Sequence, residues 1–124
     1  MTKAYEEKQK VLYKSFTPCL CNAIGEVVHF NADGLRHLLF KRNRPRSKRE
    51  RDYRLALIPH IPYAILHARK ATQKAHSDPK CKLWVLEWVE TKTTPKLTVK
   101  VVLRKIGNGN VHFLSIMQKK KGRR

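Results

Sequence analysis

Acidic residues are scarce in this sequence. Nine Asp and Glu stand against 28 Lys and Arg, so the formal net charge over 124 residues is +19. Such a chain repels itself when it folds, and a polyanionic partner favours its compact state. Nucleic acid is the commonest partner of this kind, because each phosphate neutralised by Lys or Arg releases a counterion. The shortage of carboxylates also argues against a nuclease that depends on two bound metal ions.

Long apolar runs and a disulfide framework are also lacking. No apolar run approaches the roughly 20 residues of a membrane-spanning helix, and residues 1–14 have no signal-peptide core. We therefore expect a cytoplasmic protein without a membrane partner. Three cysteines are an odd number, and the Cys-x-Cys pair at Cys19 and Cys21 is a poor disulfide, so we expect reduced thiols. A zinc site formed by these two with His76 and Cys81 matches no common module, and we expect no metal and no cofactor.

The length and the apolar content of 41% suit one domain. We divide the chain into an N-terminal leader (1–25), a folded domain (26–118) and a basic tail (119–124). Helix signals dominate the first half after a short strand at Glu26–Phe30. Apolar spacing and N-cap residues predict helices at 32–41 after Asn31, at 48–58 after Ser47, and at about 63–70. A further short helix is expected at 2–14.

The second half has the character of a sheet. Segments rich in Val, Leu, Ile and Trp at Lys82–Glu90, Lys96–Lys105 and Val111–Met117 predict strands. The turn signals Thr93–Thr94–Pro95 and Gly107–Asn110 separate them, so an antiparallel meander is expected. The predicted fold is α+β, with the N-terminal helices packed on a three- to four-stranded antiparallel sheet.

Alternation along these strands predicts a surface for phosphates and bases. Leu97, Val99, Val101 and Leu103 share one face and are assigned to the core. If Asn108–Gly109 is a two-residue turn, Val102 pairs with Ser115, and the opposite face then holds Arg104, Lys100, Phe113 and Ser115. A bulge at Gly109 would shift this register. The alternative is that Arg104 and Ser115 are ordinary residues on a solvated sheet face.

Two histidines and one basic stretch are further candidates. His37 lies across the predicted helix from its leucine stripe, so it is either a solvent-exposed residue or a functional one. His112 falls on the predicted core face and is first interpreted as structural. Residues 41–54 (KRNRPRSKRERDYR) contain eight basic and two acidic residues. They predict either a solvated charged face or a loop and helix that bind nucleic acid. In the second case the binding residues are Lys100 of the sheet and six arginines of this stretch: Arg42, Arg44, Arg46, Arg49, Arg51 and Arg54.

The order of these segments resembles a known superfamily. VVHFNADGLRHLLFKR, ERDYRLALIPHIPYAI, LWVLEWVE and LTVKVVLRKIGNGNVHFLSIM are similar, over about residues 26–118, to the barnase–EndoU–colicin–RelE-like ribonucleases, closest to the phage-associated branch. The resemblance implies a nuclease domain that cleaves RNA without a metal, by attack of the ribose 2′-OH, to give a 2′,3′-cyclic phosphate. It also implies a toxin as one possible role, with an acidic antitoxin or immunity protein as partner.

The resemblance also implies roles for individual residues. His37 matches the helix histidine and would be acid or base, Arg51 or Arg54 would hold phosphate, and Arg104 would stabilise the transition state. Ser115 would position phosphate or ribose, and His112 is the reserve acid or base. The sequence departs from barnase in having no clearly placed catalytic glutamate, Glu87 being the only one at a strand centre. The alternative function is a non-catalytic protein that binds RNA or DNA, of mobile-element or ribosome-associated type.

Overall fold

A computed structural model describes residues 2–91 and 96–119. The predicted turn at 93–95 and most of the predicted basic tail lie outside these ranges. Four α-helices are present in the described ranges, α1 (Lys3–Lys14), α2 (Ala32–Leu39), α3 (Lys48–Ala56) and α4 (Ile61–His67), with a 3-10 turn at Ile58–His60 between α3 and α4. The predicted N-caps are confirmed. The Asn31 side chain accepts a hydrogen bond from the Gly34 amide, and that of Ser47 accepts one from the Glu50 amide.

Eight strands complete the described fold, and six of them form one sheet. The strands are β1 (Cys19–Cys21), β2 (Glu26–His29), β3 (Phe40–Lys41), β4 (Arg44–Pro45), β5 (Ala71–Lys74), β6 (Cys81–Glu90), β7 (Leu97–Ile106) and β8 (Val111–Gln118). The sheet order is β1-β2-β8-β7-β6-β5, while β3 and β4 form a separate hairpin. The chain is therefore α+β, as predicted.

The sheet is larger than the predicted three or four strands, and it is mixed. β2 pairs with β8 in parallel, and the other pairs are antiparallel. The additional strands β1 and β5 are short edge strands whose pairing partners, rather than their own composition, make them strands. None of the described helices is long and apolar enough to cross a membrane.

The segment predicted as a leader belongs to the same core. Tyr13 on α1 and Cys21 on β1 are buried, and the Gln9 Nε2 atom donates a hydrogen bond of 2.9 Å to the Leu55 carbonyl. All three cysteines are free. Cys81 lies on β6, which β2, β8 and β7 separate from the β1 cysteines.

A bulge in the β7–β8 pair decides which side chains of β8 face the core. Val102 pairs with Ser115, as predicted, but the register shifts between Val102 and Leu103, so that Leu103 lies opposite Phe113. Phe113 is therefore buried in the core, and its predicted place on the open face was wrong. The same shift places His112 opposite Arg104 rather than on the core face.

Among the strands of the described ranges, none pairs with the second half of β8 on the side of β2. β2 pairs with β8 only through Val28 and His29, and α2 packs against β8 beyond them. Side chains of α3 then satisfy the free strand edge. Arg54 Nη1 donates to the Ile116 carbonyl at 3.3 Å, and the Tyr53 hydroxyl accepts from the Gln118 amide. This arrangement places α2 and α3 along the edge of β8, beside a small pocket between α2, the β3–β4 hairpin and β7.

Candidate functional site

The pocket lies where α2, the β3–β4 hairpin and β7 meet. It has a volume of about 260 Å³, and we call it the His37 pocket. Its wall combines one histidine, three arginines and one carboxylate with a polar and an aromatic side chain: His37, Arg36, Arg42, Arg104, Asp33, Asn43 and Phe40. Arg104 Nη2 lies 3.8 Å from the Asp33 carboxylate, so one of the three guanidinium charges has a partner across the pocket.

The turn of the hairpin has an uncommon backbone conformation, and its two residues line the pocket. Arg42 and Asn43 connect β3 to β4, and both have positive φ values, 51° and 65°. Positive φ at both central residues defines the type I′ turn, whose twist matches that of the flanking strands. Asparagine tolerates this conformation, whereas for arginine it costs roughly 1 kcal/mol. The strained residue is one of the cations that line the His37 pocket.

The environment of His37 favours its neutral form. His37 is exposed to solvent and lines the pocket. Partial desolvation, followed by the positive charge of Arg104, lowers the pKa of His37 below its usual value, and Asp33 opposes this shift. A histidine whose pKa is lowered is mostly unprotonated at pH 7, and it can accept a proton from a bound hydroxyl.

A chain of charged hydrogen bonds links this helix to β8. Arg46 Nε donates to the His37 carbonyl at 3.0 Å, and its Nη1 lies 3.6 Å from a Glu50 carboxylate oxygen. Arg54 Nε donates to the same oxygen at 2.9 Å, and its Nη1 donates to Ser115 Oγ at 2.9 Å. Arg54 and Ser115 are buried, with 9% and 7% of their surfaces exposed. This network connects the backbone of His37, through α3, to Ser115 on β8.

Desolvation and the charge of Arg54 lower the pKa of the Arg46 guanidinium. Desolvation is the larger cause, and the charge of Arg54 adds to it because two positive charges disfavour each other, while Glu50 opposes the shift. An anionic ligand would relieve this repulsion.

The remaining predicted residues are spread more widely. Arg44 and Arg49 are exposed on β4 and α3, while Arg51 faces α1, with its Nε 3.5 Å from the Glu6 carboxylate. Lys100 is half-buried on the same face of β7 as Arg104. His112 is half-buried opposite Arg104, with its ring 5.8 Å from that of His29. Glu87 forms a 3.2 Å ion pair with Lys119 and does not line the His37 pocket.

Four residues of the pocket wall were missed by the sequence reasoning. Asp33, Arg36, Phe40 and Asn43 were not singled out as candidate site residues. Their side chains reach the pocket because α2 ends at Leu39 and the chain immediately forms the hairpin. A two-residue turn before Pro45 was the available signal, but Arg-Asn lacks the glycine that usually marks a type I′ turn.

Metal ligands are not clustered in the part of the chain that the structure describes, where no group of three or more His, Cys, Asp or Glu side chains could hold an ion. Comparison of the chain with known protein families, with curated proteins and with solved structures found no match.

Proposed function

We propose that the protein is a ribonuclease that cleaves RNA without a metal ion, as the resemblance to the barnase–EndoU–colicin–RelE-like superfamily implies. One observation carries the proposal. His37, whose pKa is lowered, shares a small pocket with Arg104 and two further arginines. This combination pairs a proton acceptor with positive charge in the place where a phosphodiester would bind.

In the proposed reaction the RNA supplies its own nucleophile. His37 accepts the proton of a ribose 2′-OH, and the 2′ oxygen attacks the adjacent phosphorus. The bond between phosphorus and the 5′ oxygen breaks, and that oxygen accepts a proton from the imidazolium form of His112, the histidine opposite Arg104 on β8. His112 is left neutral and His37 protonated. The products are a 2′,3′-cyclic phosphate and a 5′-hydroxyl end, so atoms and charges balance.

The arginines have two kinds of role in this proposal. Arg104 and Arg42 line the pocket and stabilise the extra negative charge of the phosphorane. Arg54 and Ser115 are positioning residues, because they are buried and bonded to each other. Arg46 connects the two groups through the His37 carbonyl and Glu50.

A single-turnover assay on end-labelled RNA in EDTA tests the proposal. Wild-type protein should give a 2′,3′-cyclic phosphate product, and His37→Asn or Arg104→Gln should lower the rate by at least about 100-fold, the usual contribution of one acid–base or electrostatic group. His67→Asn and Arg69→Gln are matched controls from the other end of the molecule, and they should cleave like the wild type. Cleavage that survives both pocket variants would refute the assignment.

The second candidate function is non-catalytic binding of RNA or DNA. The observation in its favour is the cationic surface of the hairpin, where Lys41, Arg42 and Arg44 are all exposed to solvent. Binding that weakens steeply with salt, with no cleavage in the assay above, would support it.

The same excess of positive charge suggests how a cytoplasmic ribonuclease would be restrained. We propose an acidic inhibitor, of antitoxin or immunity type, that covers the hairpin and the His37 pocket. Opposite charges would speed this association, and its rate should fall with ionic strength. A small acidic protein encoded beside this reading frame is the expected partner, and co-expression should abolish the cleavage.

A further inference from the structure

A second groove lies directly beside the His37 pocket, between the end of α1 and α2. Its volume is about 580 Å³, within the usual range for small-ligand sites. We call it the aromatic groove, because four aromatic residues and two leucines form its apolar wall: Tyr13, Phe16, Phe30, Phe40, Leu35 and Leu39. The polar and charged residues that also line it are Lys14, Asn31, Asp33 and Arg36.

The groove offers ring surfaces and few polar groups. The Phe16 and Phe30 rings lie 5.4 Å apart at an angle of 58°, and both are only partly buried. The single hydroxyl among these rings belongs to Tyr13, and it donates a 2.7 Å hydrogen bond to the Asn31 carbonyl. A ligand in the groove would therefore be held mainly by contact with aromatic faces.

The groove and the His37 pocket share part of their walls. Asp33, Arg36 and Phe40 line both, and the Arg36 guanidinium lies over the Phe40 ring, 5.3 Å from its centroid. Lys14 provides a second cation at the groove. An apolar slot bordered by cations and continuous with an arginine-lined pocket matches the two parts of a nucleotide, a flat base and a charged phosphate.

We infer that the aromatic groove binds an unpaired nucleobase of the strand whose phosphodiester lies in the His37 pocket. The inference rests on the proposed function and adds the substrate class, single-stranded RNA. A base in a duplex would first have to leave its stack, which costs free energy, whereas an unpaired base can stack on the Phe16 and Phe30 rings directly. Every base has an aromatic face, so this contact adds affinity without requiring one sequence.

Two single strands of equal charge provide the test. One is a five-nucleotide DNA strand, which lacks the 2′-OH and cannot be cleaved by the proposed reaction, and the other is the same sugar-phosphate strand with all bases removed. Binding is measured by fluorescence anisotropy of a terminal dye. Wild-type protein should bind the base-bearing strand about tenfold more tightly, as expected for one stacked base. Equal affinity for the two strands would overturn the inference.

Substitutions in the groove locate the effect. Phe16→Ala should reduce the affinity for the base-bearing strand to that for the abasic strand and leave the abasic strand unaffected. Tyr5→Ala is the matched control, because Tyr5 is an exposed aromatic residue on α1, the helix that precedes Phe16, and lies outside the groove. This variant should keep the tenfold preference. If Phe16→Ala does not fold, Phe16→Trp replaces it. Quenching of the fluorescence of the introduced tryptophan by the base-bearing strand alone supports the inference. Equal quenching by the two strands, or quenching by neither, contradicts it.

The outcome is separable from that of the ribonuclease assay. If the protein cleaves RNA but binds both strands equally, the groove does not bind a base, and the proposed reaction is unaffected. A tenfold base preference without any cleavage would refute the reaction and leave the groove as a binding site. An apolar partner protein as the occupant would leave both strands with equal affinity, which also counts against the inference.

Discussion

Gly34 on α2 tests how closely this helix packs on β8. A Cβ atom added at Gly34 would lie 2.7 Å from Cδ2 of Phe113 and 2.8 Å from the Phe113 carbonyl oxygen, and it would overlap the Tyr13 hydroxyl. These separations are well below van der Waals contact. The substitution Gly34→Ala therefore sets two effects against each other, because alanine favours a helix and the added methyl group has no room.

The magnitudes decide the sign. Alanine in place of glycine stabilises a helix by at most about 1 kcal/mol, whereas overpacking in a core costs about 1–3 kcal/mol. The Phe113 carbonyl belongs to the backbone of β8 and cannot rotate away, so the upper end of that range applies. The free energy of unfolding should fall by about 2 kcal/mol. For a chain of this length, that corresponds to a fall in Tm of about 8 °C.

Urea denaturation followed by circular dichroism measures this change. Tyr13→Phe removes the overlapping hydroxyl, so the double variant should lose less stability than the sum of the two single variants. The Phe113 carbonyl still blocks the methyl group, and rescue should be incomplete. A Gly34→Ala protein as stable as the wild type, or more stable, would mean that α2 does not approach β8 as described.

Three further predictions concern charge and strain. Arg104→Gln should raise the pKa of His37, because the arginine charge disfavours imidazolium, and an NMR titration of the ring would show it; an unchanged or lower pKa would contradict the pocket geometry. Burial raises the pKa of Tyr13 from 10.0 to about 12. The neutral form is therefore favoured in the folded state, and roughly 3 kcal/mol of stability should be lost as the pH rises from 10 through 12. Tyr13→Phe should lack this alkaline loss in denaturant titrations, and a similar loss in the variant would assign it to another group. Arg42→Gly should raise the free energy of unfolding by about 0.5 kcal/mol, since relief of roughly 1 kcal/mol of strain exceeds the flexibility that glycine adds to the unfolded chain. The same variant should bind RNA more weakly in an anisotropy assay, and a gain in both properties would argue against a binding role for this cation.

The network behind the pocket explains why Arg54 and Ser115 occur together. Arg54 is almost fully buried and donates to Ser115, to the Ile116 carbonyl and to Glu50. A buried guanidinium is tolerated only when its donors are satisfied. The sequence pattern identified both residues as candidates for contact with RNA, whereas their burial and mutual bond suit the support of the pocket wall.

Local chemistry in the sequence determined several elements of this fold. Asn31 and Ser47 begin helices where predicted, since a short polar side chain can satisfy an orphan amide without any tertiary contact. The alternation of β7 identified Val99, Val101 and Leu103 as core, because a half-buried strand repeats every two residues. The high positive charge likewise follows from composition alone, and it makes an anionic partner the leading hypothesis.

Only the tertiary structure decided how these elements meet. β1 and β5 became strands because neighbours offered unpaired backbone groups, and the bulge beside Leu103 moved Phe113 into the core and His112 beside Arg104. His37 and Arg104 share a pocket because β2 pairs with only the first part of β8, and α2 packs against the part that β2 does not cover. Such contacts join residues distant in the sequence, and their free energy depends on the packing of the whole core, so no local pattern can encode them.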